Sequence, residues 1–510
     1  MVMDTYEFNS VNGEHGKLIH SSKAFVNGNG FVDYVKAEPP EAWTTPKNTK
    51  HWMMKCLPFR RKFDSLEGYS EDCLFLSILV PTDPGNKTNL LVFFSNENLN
   101  VIKILELMKK EVAVGVVYFR QGLQGFAGLN EEDGDYGISD IQLALDFIEK
   151  NADKFGISGS IALAGENDGS GILHLAFDDW HHKNKVERKY RLVLLNGHKL
   201  IQRIQPDFEK TRKNTLILFK KLDCDLPSEI QATDCARSKT FTEILKAFLV
   251  SEFHEEYGTP FKPNKIDEVK TFVDTVVGLE SKLTRDHYNT VDDFQTNYSY
   301  PDFKTFLART ISDKKYRNGA LLRRLIFHEY IRSTGDKKDT YFLWTQSRQV
   351  LQDRTYFAPT VTLLEKIKKE KNEVFVFKYD VSNPISTCLS AFTPEYLKNF
   401  CDQLWKFVLR FTTKGAPTKK TCGGEEPVWP ALKSTKRDYY LKMDEDGKIE
   451  WDYPLALRAD AFWNDLVPLF DQLELSGKRS PADENDVEIV HPLEEEDDQQ
   501  QYHTVHRDEF

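Results

Sequence analysis

The sequence is poor in the features that mark membrane, nucleic-acid-binding and metal-binding proteins. It has no run of about 18 apolar residues, so we expect no transmembrane helix. Acidic residues outnumber basic ones by 79 to 68, and the net charge of −11 argues against nucleic acid or an anionic membrane as a partner. The N-terminus has neither a basic nor an apolar region, so it carries no secretory signal, which taken alone favours a cytoplasmic protein. None of the 7 cysteines forms a C-x-x-C or zinc-site spacing, and we predict neither a metal nor a cofactor.

The chain does contain an alternation of apolar strands and amphipathic helices. Buried strands are predicted at Leu90–Phe94, Val112–Phe119, Ile161–Ala164, Leu192–Leu195 and Val374–Tyr379. Charged, helix-like segments lie between them, above all from residue 201 to residue 372. The pattern predicts an α/β fold with a central, mostly parallel sheet, helices on both faces and helical insertions. We expect one domain over residues 1–475 and an acidic, disordered tail over residues 476–510.

One predicted strand ends in a turn of the kind that carries a catalytic nucleophile. The apolar run Ile161–Ala164 stops at Gly165, turns through residues 166–169 and enters a second apolar segment at Ile172. Strand, glycine-bounded turn and helix form the layout of the G-x-S-x-G nucleophile elbow, whose middle residue stands at the top of the sheet. Here the middle residue is Asn167, and an amide can neither attack a carbonyl nor carry an acyl group.

A series of short motifs connects the chain to a known family. In chain order they are Phe31–Pro40 (F-V-D-Y-V-K-A-E-P-P), Glu71–Leu76 (E-D-C-L-F-L), Tyr118–Phe126 (Y-F-R-Q-G-L-Q-G-F), Gly134–Asp140 (G-D-Y-G-I-S-D), Trp429-Pro430 and Phe462-Trp463. Their order and spacing resemble those of the carboxylesterase/cholinesterase family, the type B carboxylesterases, over nearly the whole chain before the tail. The resemblance implies an α/β-hydrolase fold and ester hydrolysis by a nucleophile, a histidine base, an acid and an oxyanion hole.

The resemblance also bears on the cysteines. From spacing alone, the local pairs Cys56/Cys73 and Cys224/Cys235 could be either disulfides or scattered reduced thiols. The resemblance implies a disulfide for each pair, provided that the protein enters an oxidising compartment. No partner is assigned to the other three cysteines, Cys388, Cys401 and Cys422.

The nucleophile and the oxyanion hole are both altered at the positions that match the family. Asn167 occupies the nucleophile position. The family has three glycines at the oxyanion hole, so that bare backbone can approach the substrate oxygen. The matching residues here are Asn96, Glu97 and Asn98, whose side chains should hinder that approach.

The base and the acid are altered as well. The base should follow the strand that begins at residue 374, but no histidine occurs between His328 and His491. Leu283 falls at the acid position, and the nearby Glu280 has no base to orient. All four parts of the machinery therefore depart from the family pattern.

These departures predict a protein that keeps the esterase fold and lacks esterase activity. We expect it to act as a binding or interaction protein, with a protein partner or a small apolar ligand. The alternative is a hydrolase of carboxylic esters with rebuilt chemistry, in which Asp168 or Glu97 acts as an acid–base group or Asp168 attacks the substrate.

Two signals point to different compartments. The C-terminal residues His506–Phe510, H-R-D-E-F, resemble an H-D-E-L retention signal with phenylalanine in place of the final leucine. Together with the implied disulfides they favour the lumen of the endoplasmic reticulum or secretion. The missing secretory signal favours the cytoplasm, which stays the alternative.

Overall fold

The structure is a computed structural model of the 510-residue chain. It describes residues 4–9, 15–21, 36–38, 55–56, 69–70, 72–81, 87–95, 97, 99–109, 111–130, 134–201, 208–250, 270–281, 298–332, 335–418, 428–432, 439–453 and 455–474. Four predicted positions lie outside the described residues: Asn96, Asn98, Leu283 and Cys422. The predicted tail over residues 476–510 lies outside them too.

Eleven strands form one sheet in the described part of the chain. They are β1 (Asp4–Asn9), β2 (His15–Ser21), β3 (Leu76–Pro81), β4 (Thr88–Phe94), β5 (Val112–Val117), β6 (Ile157–Glu166), β7 (Tyr190–Leu195), β8 (Asp274–Glu280), β9 (Val374–Tyr379), β10 (Tyr440–Met443) and β11 (Ile449–Asp452). Their order across the sheet is β1-β2-β3-β5-β4-β6-β7-β8-β9-β10-β11. Neighbouring strands are parallel from β5 to β10 and antiparallel towards both edges. The predicted α/β fold with a mostly parallel sheet is confirmed.

Helices form most of the connections between the strands. They are α1 (Val101–Leu107), α2 (Gly122–Phe126), α3 (Tyr136–Asn151), α4 (Asn167–Lys183), α5 (Phe208–Lys221), α6 (Glu229–Arg237), α7 (Phe241–Val250), α8 (Tyr300–Thr310), α9 (Gly319–Phe327), α10 (Thr340–Gln352), α11 (Ala358–Lys368), α12 (Pro384–Cys388), α13 (Lys398–Lys414), α14 (Leu457–Ala459) and α15 (Val467–Gln472). Helix α13 ends at Gly415, whose φ of 76° is the left-handed conformation that terminates many helices.

The central strands are apolar because both of their faces are covered. Every residue of β4 is buried, and so is every residue of β5 and β7. On one face, Trp405 of α13 meets Phe93 edge to face at 5.7 Å between ring centroids. Trp429 makes similar contacts with Phe375 and Phe377 of β9. Strands of this kind read as continuous apolar runs, which is why the sequence pattern located them.

A buried ion pair explains two of the family-like motifs. The guanidinium of Arg120 lies 2.6 Å from the carboxylate of Asp140, and the backbone N–H of Arg120 donates to the same carboxylate at 3.0 Å. A Cβ atom added to Gly125 or to Gly137 would lie 2.3 Å from the carbonyl oxygen of Arg120. The arginine, aspartate and glycines of these motifs therefore form one packing unit at the start of α3.

Three disulfides are present among the described cysteines. Cys56–Cys73 and Cys224–Cys235 are the two pairs that the family resemblance implied, and both are confirmed. The third, Cys388–Cys401, joins the end of α12 to α13. Its two cysteines are 13 residues apart, and the sequence analysis left them without partners.

The chain divides into two compact units, residues 1–293 with 351–460 and residues 294–350 with 461–510. The first unit contains the sheet. In the second unit the side-chain amide of Asn318 donates to the carbonyl oxygens of Phe470 and Leu473, which ties α9 to α15. The indole N–H of Trp463 in this unit donates to the hydroxyl of Tyr330 at 2.9 Å.

Candidate functional site

The candidate site lies at the carboxyl end of β6, where the chain turns sharply into α4. Asn167 is the first residue of α4 and has a φ of 52°, in the left-handed region. A Cβ atom added to Gly165 would lie 2.8 Å from the Cα of Ser170, and one added to Gly197 would lie 1.9 Å from the carbonyl oxygen of Asn167. Glycine is therefore required at both positions for the backbone to pass this closely. The turn has the strand–turn–helix layout that the sequence predicts for an elbow.

The side chain of Asn167 is held from both sides by other asparagines. Its amide nitrogen donates to Oδ1 of Asn383 at 2.5 Å, and its Oδ1 accepts from the amide nitrogen of Asn196 at 3.1 Å. Asn196 and Asn383 also have left-handed backbones, with φ values of 50° and 46°. Asparagine tolerates this conformation better than most residues. The three amides form a chain across the ends of β6 and β7 and the loop after β9.

The sequence analysis missed Asn196 and Asn383. A local signal for each was present, because Asn196 directly follows a predicted strand and precedes Gly197, and Asn383 lies four residues after a predicted strand and precedes Pro384. Asn-Gly and Asn-Pro are turn dipeptides, so they indicate backbone geometry. Nothing in such a pattern indicates that the two side chains converge on Asn167, since 216 residues separate Asn383 from it.

Glu166, the residue before Asn167, forms hydrogen bonds with the first turn of α12. Its carboxylate accepts hydrogen bonds from the backbone N–H groups of Ile385 at 2.8 Å and Ser386 at 3.1 Å. The side chain is buried, and this burial, together with the nearby charge of Glu97, raises the pKa of Glu166 to about 7. A hydrogen bond with the Ser386 side chain and the two backbone hydrogen bonds oppose this shift without cancelling it.

Glu280, at the end of β8, is completely buried and faces the same loop. Its carboxylate accepts a hydrogen bond from the hydroxyl of Ser382 at 2.7 Å. Its backbone carbonyl accepts from the side-chain amide of Gln352 at 2.5 Å. The loop after β9 thus brings a serine hydroxyl to Glu280. Leu283, at the predicted acid position, is beyond the described residues.

The loop after β4 holds the described part of the segment that the family resemblance matches to an oxyanion hole. Ser95 is buried and continues the sheet, since its backbone N–H donates to the carbonyl of Val117 at 3.2 Å. The backbone N–H of Glu97 donates to the hydroxyl of Ser95 at 3.1 Å. The charge of the half-buried Glu97 carboxylate raises the pKa of Glu166. Burial lowers the pKa of Lys55, and the charge of Glu97 partly opposes that larger effect. A carboxylate therefore lies near the elbow on the side where a hydrolase needs hydrogen-bond donors.

Two buried histidines, His174 on α4 and His198 after β7, form hydrogen bonds within the core. His174 of α4 accepts a hydrogen bond at Nδ1 from the backbone N–H of Lys199, at 3.4 Å. Burial and the charge of Lys199 lower its pKa to about 3. His198 accepts at Nδ1 from the N–H of Leu200, so its Nε2 carries the proton and donates to Thr360 at 2.9 Å. Both rings are neutral and buried, and His198 uses both of its nitrogens in the core.

The described residues contain neither a cluster of metal ligands nor a membrane-spanning helix. Within these ranges, no three histidine, cysteine, aspartate or glutamate side chains are grouped so that they could hold a metal ion. No helix in the described ranges is long and apolar enough to cross a bilayer.

Asp168 lies half-buried in the first turn of α4, one residue beyond the apex of the elbow.

Comparison with known proteins agrees with this geometry. The sequence model of the carboxylesterase family matches residues 30–397. The chain is 23% identical to acetylcholinesterase of Bungarus fasciatus over 509 residues, covering 86% of this chain and 81% of that protein. It is 22% identical to liver carboxylesterase of Sus scrofa over 513 residues, covering 86% of each. It is also 24% identical to human thyroglobulin over 254 residues, or 44% of this chain, and there the match spans only 9% of the relative.

Proposed function

This chain belongs to the carboxylesterase family, and we propose that it is a non-catalytic member that acts by binding a protein partner or a small apolar ligand. The observation that carries the proposal is the chain of three amides at the apex of the elbow. In a working elbow, the apex side chain must be free to attack a carbonyl carbon and must contact a base. Here the Asn167 amide has no nucleophilic atom, and both of its ends are bound to other amides.

The size of the expected loss supports the same conclusion. Removing the nucleophile or the base alone from a serine hydrolase costs roughly 10⁶ in kcat, equivalent to about 8 kcal/mol. Loss of one oxyanion donor costs about 10²–10³ more in comparable enzymes. The Glu97 carboxylate, beside Glu166, would further oppose the negative charge that develops on a substrate oxygen.

The proposal is tested by ester turnover and active-site labelling. We expect no hydrolysis of short-chain nitrophenyl esters above the buffer rate, and no organophosphate adduct on the elbow peptide over residues 157–183. An active cholinesterase assayed in parallel provides the positive control. A stoichiometric adduct on that peptide would overturn the proposal.

The binding role needs a measurement of its own. A panel of apolar ligands and fatty acids, screened by thermal shift, should contain a compound that raises Tm with saturation, because ligands that bind only the folded state stabilise it. Crosslinking of the intact protein in cells, followed by mass spectrometry, tests for a protein partner. If neither approach gives a saturable interaction, the binding role fails even where the lack of esterase activity holds.

The alternative function is ester hydrolysis with rebuilt catalytic groups, centred on Asp168 or Glu97. One observation favours it, namely that burial and the charge of Glu97 raise the pKa of Glu166 to about 7, so that Glu97 helps to tune a carboxyl group at the elbow towards that of an effective general acid or base. A broad ester and amide panel tests this alternative, with Asp168→Ala and Glu97→Gln as the diagnostic variants. Activity in the wild type that either variant abolishes would favour the hydrolase over the binding protein.

We propose that the protein works in the endoplasmic reticulum lumen or outside the cell. The three disulfides are compatible with an oxidising compartment, and cytosolic disulfides are uncommon. Tagging the protein internally and following it by fractionation, with and without residues 507–510, would test both the compartment and the retention role of the C-terminus. A wholly cytosolic protein with reduced cysteines would favour the alternative location.

A further inference from the structure

Two aromatic side chains project into solvent from a loop that a disulfide closes. Phe392 is 91% exposed and Tyr396 is 63% exposed, and both lie between Cys388 and Cys401, which are bonded to each other. We call Phe392 and Tyr396 the aromatic tip. Among the phenylalanines whose exposure the structure describes, Phe392 is the only exposed one. Aromatic residues are enriched in protein interfaces, so an exposed pair is a candidate contact surface.

The loop that carries the aromatic tip is held in place by its own contacts. The hydroxyl of Thr393 donates to the carbonyl oxygen of Thr387 at 3.0 Å. The backbone N–H of Phe392 donates to the hydroxyl of Ser390 at 3.2 Å. Leu397, which directly follows the tip, is buried in the main core. Together with the disulfide, these contacts order the loop before any partner arrives, and a pre-ordered surface loses less conformational entropy on binding.

A turn rich in acidic residues lies beside this loop. A Cβ atom added to Gly447 would lie 2.8 Å from the carbonyl carbon and oxygen of Asn399, so the turn between β10 and β11 packs directly against the start of α13. We call residues 444–448 the acidic turn. Its residues Glu445 and Asp446 are exposed. The fold thus places exposed carboxylates next to the segment that carries the aromatic tip.

The charge of this surface is strongly one-sided. The loop and the turn with its continuation into β11, residues 389–402 and 444–450, together contain six carboxylates and two lysines. Each lysine pairs with a carboxylate of its own segment, Lys398 with Glu395 at 3.6 Å and Lys448 with Glu450 at 2.7 Å. An excess of four negative charges therefore surrounds the aromatic tip, and this excess favours a positively charged partner.

We propose that the aromatic tip and the acidic turn form a docking surface for a basic segment of a partner protein. Arginine and lysine side chains stack on exposed aromatic rings and pair with carboxylates such as Glu445 and Asp446. The net charge of the whole chain is −11, so a second copy of this chain or an anionic membrane would meet repulsion here. This inference deepens the proposed binding role and rests on it, since it names the surface and the chemistry of the partner.

The test uses the full-length protein as bait for a library of short random peptides. Peptides that also bind the double variant Phe392→Ser/Tyr396→Ser are removed. The peptides that remain should carry an excess of arginine and lysine together with apolar residues. Both aromatic side chains of the tip are mainly exposed, so the double variant should keep the Tm of the wild type.

The most enriched peptide is then synthesised, and its Kd is measured by fluorescence anisotropy. Phe392→Ser should weaken binding about tenfold or more, because buried aromatic anchors dominate interface energies. The charge reversal Glu445→Lys/Asp446→Lys should weaken binding by roughly five- to tenfold and should reduce its dependence on salt. Ile230→Ser is the matched control. Ile230 is 75% exposed on α6, outside this surface, and its replacement should change the Kd by less than about twofold.

Several outcomes would contradict the proposal. The library could yield no peptide that distinguishes the wild type from the double variant, or only peptides without net positive charge. A wild-type dimer that Phe392→Ser dissociates would assign the tip to a second copy of this chain. Binding of phosphatidylserine vesicles that requires Phe392 would assign the tip to a membrane.

Failure of this surface can be distinguished from failure of the binding role itself. A partner or ligand that binds Phe392→Ser as tightly as it binds the wild type would leave the binding role standing and exclude the aromatic tip. The lack of esterase activity is judged separately, by ester turnover and labelling of the elbow peptide.

Discussion

The amide of Asn167 donates to Asn383 at 2.5 Å while its oxygen accepts from Asn196 at 3.1 Å. Asn167 is thus a structural joint between β6, β7 and the loop after β9. Each of the three residues has a left-handed backbone. The joint therefore depends on side-chain hydrogen bonds and on backbone conformations that few residue types tolerate.

Replacing Asn167 with serine should leave the protein without ester hydrolysis. A serine hydroxyl at this position would meet two amides, Asn196 and Asn383, and amides cannot take up its proton. Nitrophenyl acetate turnover by Asn167→Ser should equal that of the wild type. Asn167→Asp, which keeps the size and shape of the side chain, is the matched control. A rate more than tenfold above background in the serine variant alone would show that a base is in reach.

Asn383 should contribute to stability through both its side chain and its backbone. Asn383→Ala removes the hydrogen bond to Asn167, worth about 1 kcal/mol, and forces alanine into a left-handed conformation at a further cost of about 1–2 kcal/mol. Asn383→Gly removes the same hydrogen bond without backbone strain, and glycine adds unfolded-state entropy that costs about 0.4–1 kcal/mol. The thermal midpoint should therefore fall further in the alanine variant than in the glycine variant. Equal midpoints would mean that the left-handed backbone at residue 383 costs alanine no more than the added entropy costs glycine.

His174 should make the protein sensitive to acid. Its folded pKa of about 3 lies below the ordinary value of 6.5, so the folded state binds fewer protons than the unfolded state between these values. The stability that the neutral ring contributes is present above pH 6.5 and is lost as the pH falls towards 3. The total is on the order of 4–5 kcal/mol by linkage.

His174→Asn tests this expectation, because its side-chain oxygen can accept the Lys199 N–H as Nδ1 does. Denaturation from pH 7 to pH 4 should show a flatter pH dependence in this variant than in the wild type. His182→Asn is the control, since His182 is exposed on the same helix. If His182→Asn flattened the pH dependence of stability equally, His174 would not be the cause of the acid sensitivity.

The third disulfide should be detectable and should stabilise the loop after β9. Three bonds use 6 of the 7 cysteines, so denatured, unreduced protein should expose one thiol per chain. The Cys388–Cys401 bond closes a loop with a sequence separation of 13, for which chain entropy suggests about 3 kcal/mol. Replacing both cysteines with serine should lower the thermal midpoint accordingly. Peptide mapping that joined either cysteine to another partner would contradict the assignment.

The fold was accessible from sequence because its signals are local. A parallel strand covered on both faces, such as β4, must be apolar throughout, and that run is visible without knowledge of its neighbours. Gly165 likewise indicates that the backbone of its own turn passes close to it. The pairing of Cys388 with Cys401 gave no such signal, because spacing alone does not report the distance between two side chains.

The sequence by itself determined that the chain has an esterase-like sheet, that its elbow presents an asparagine, and that no histidine follows β9 before residue 491. Those conclusions need only residue identity and order. The tertiary structure alone decided what contacts the elbow: Asn196 and Asn383 bind Asn167, and Glu166 accepts hydrogen bonds from the first turn of α12. The reason is physical. Hydrogen bonds between side chains depend on distance and direction, and only the folded sheet brings loops more than 200 residues apart in sequence to the same edge.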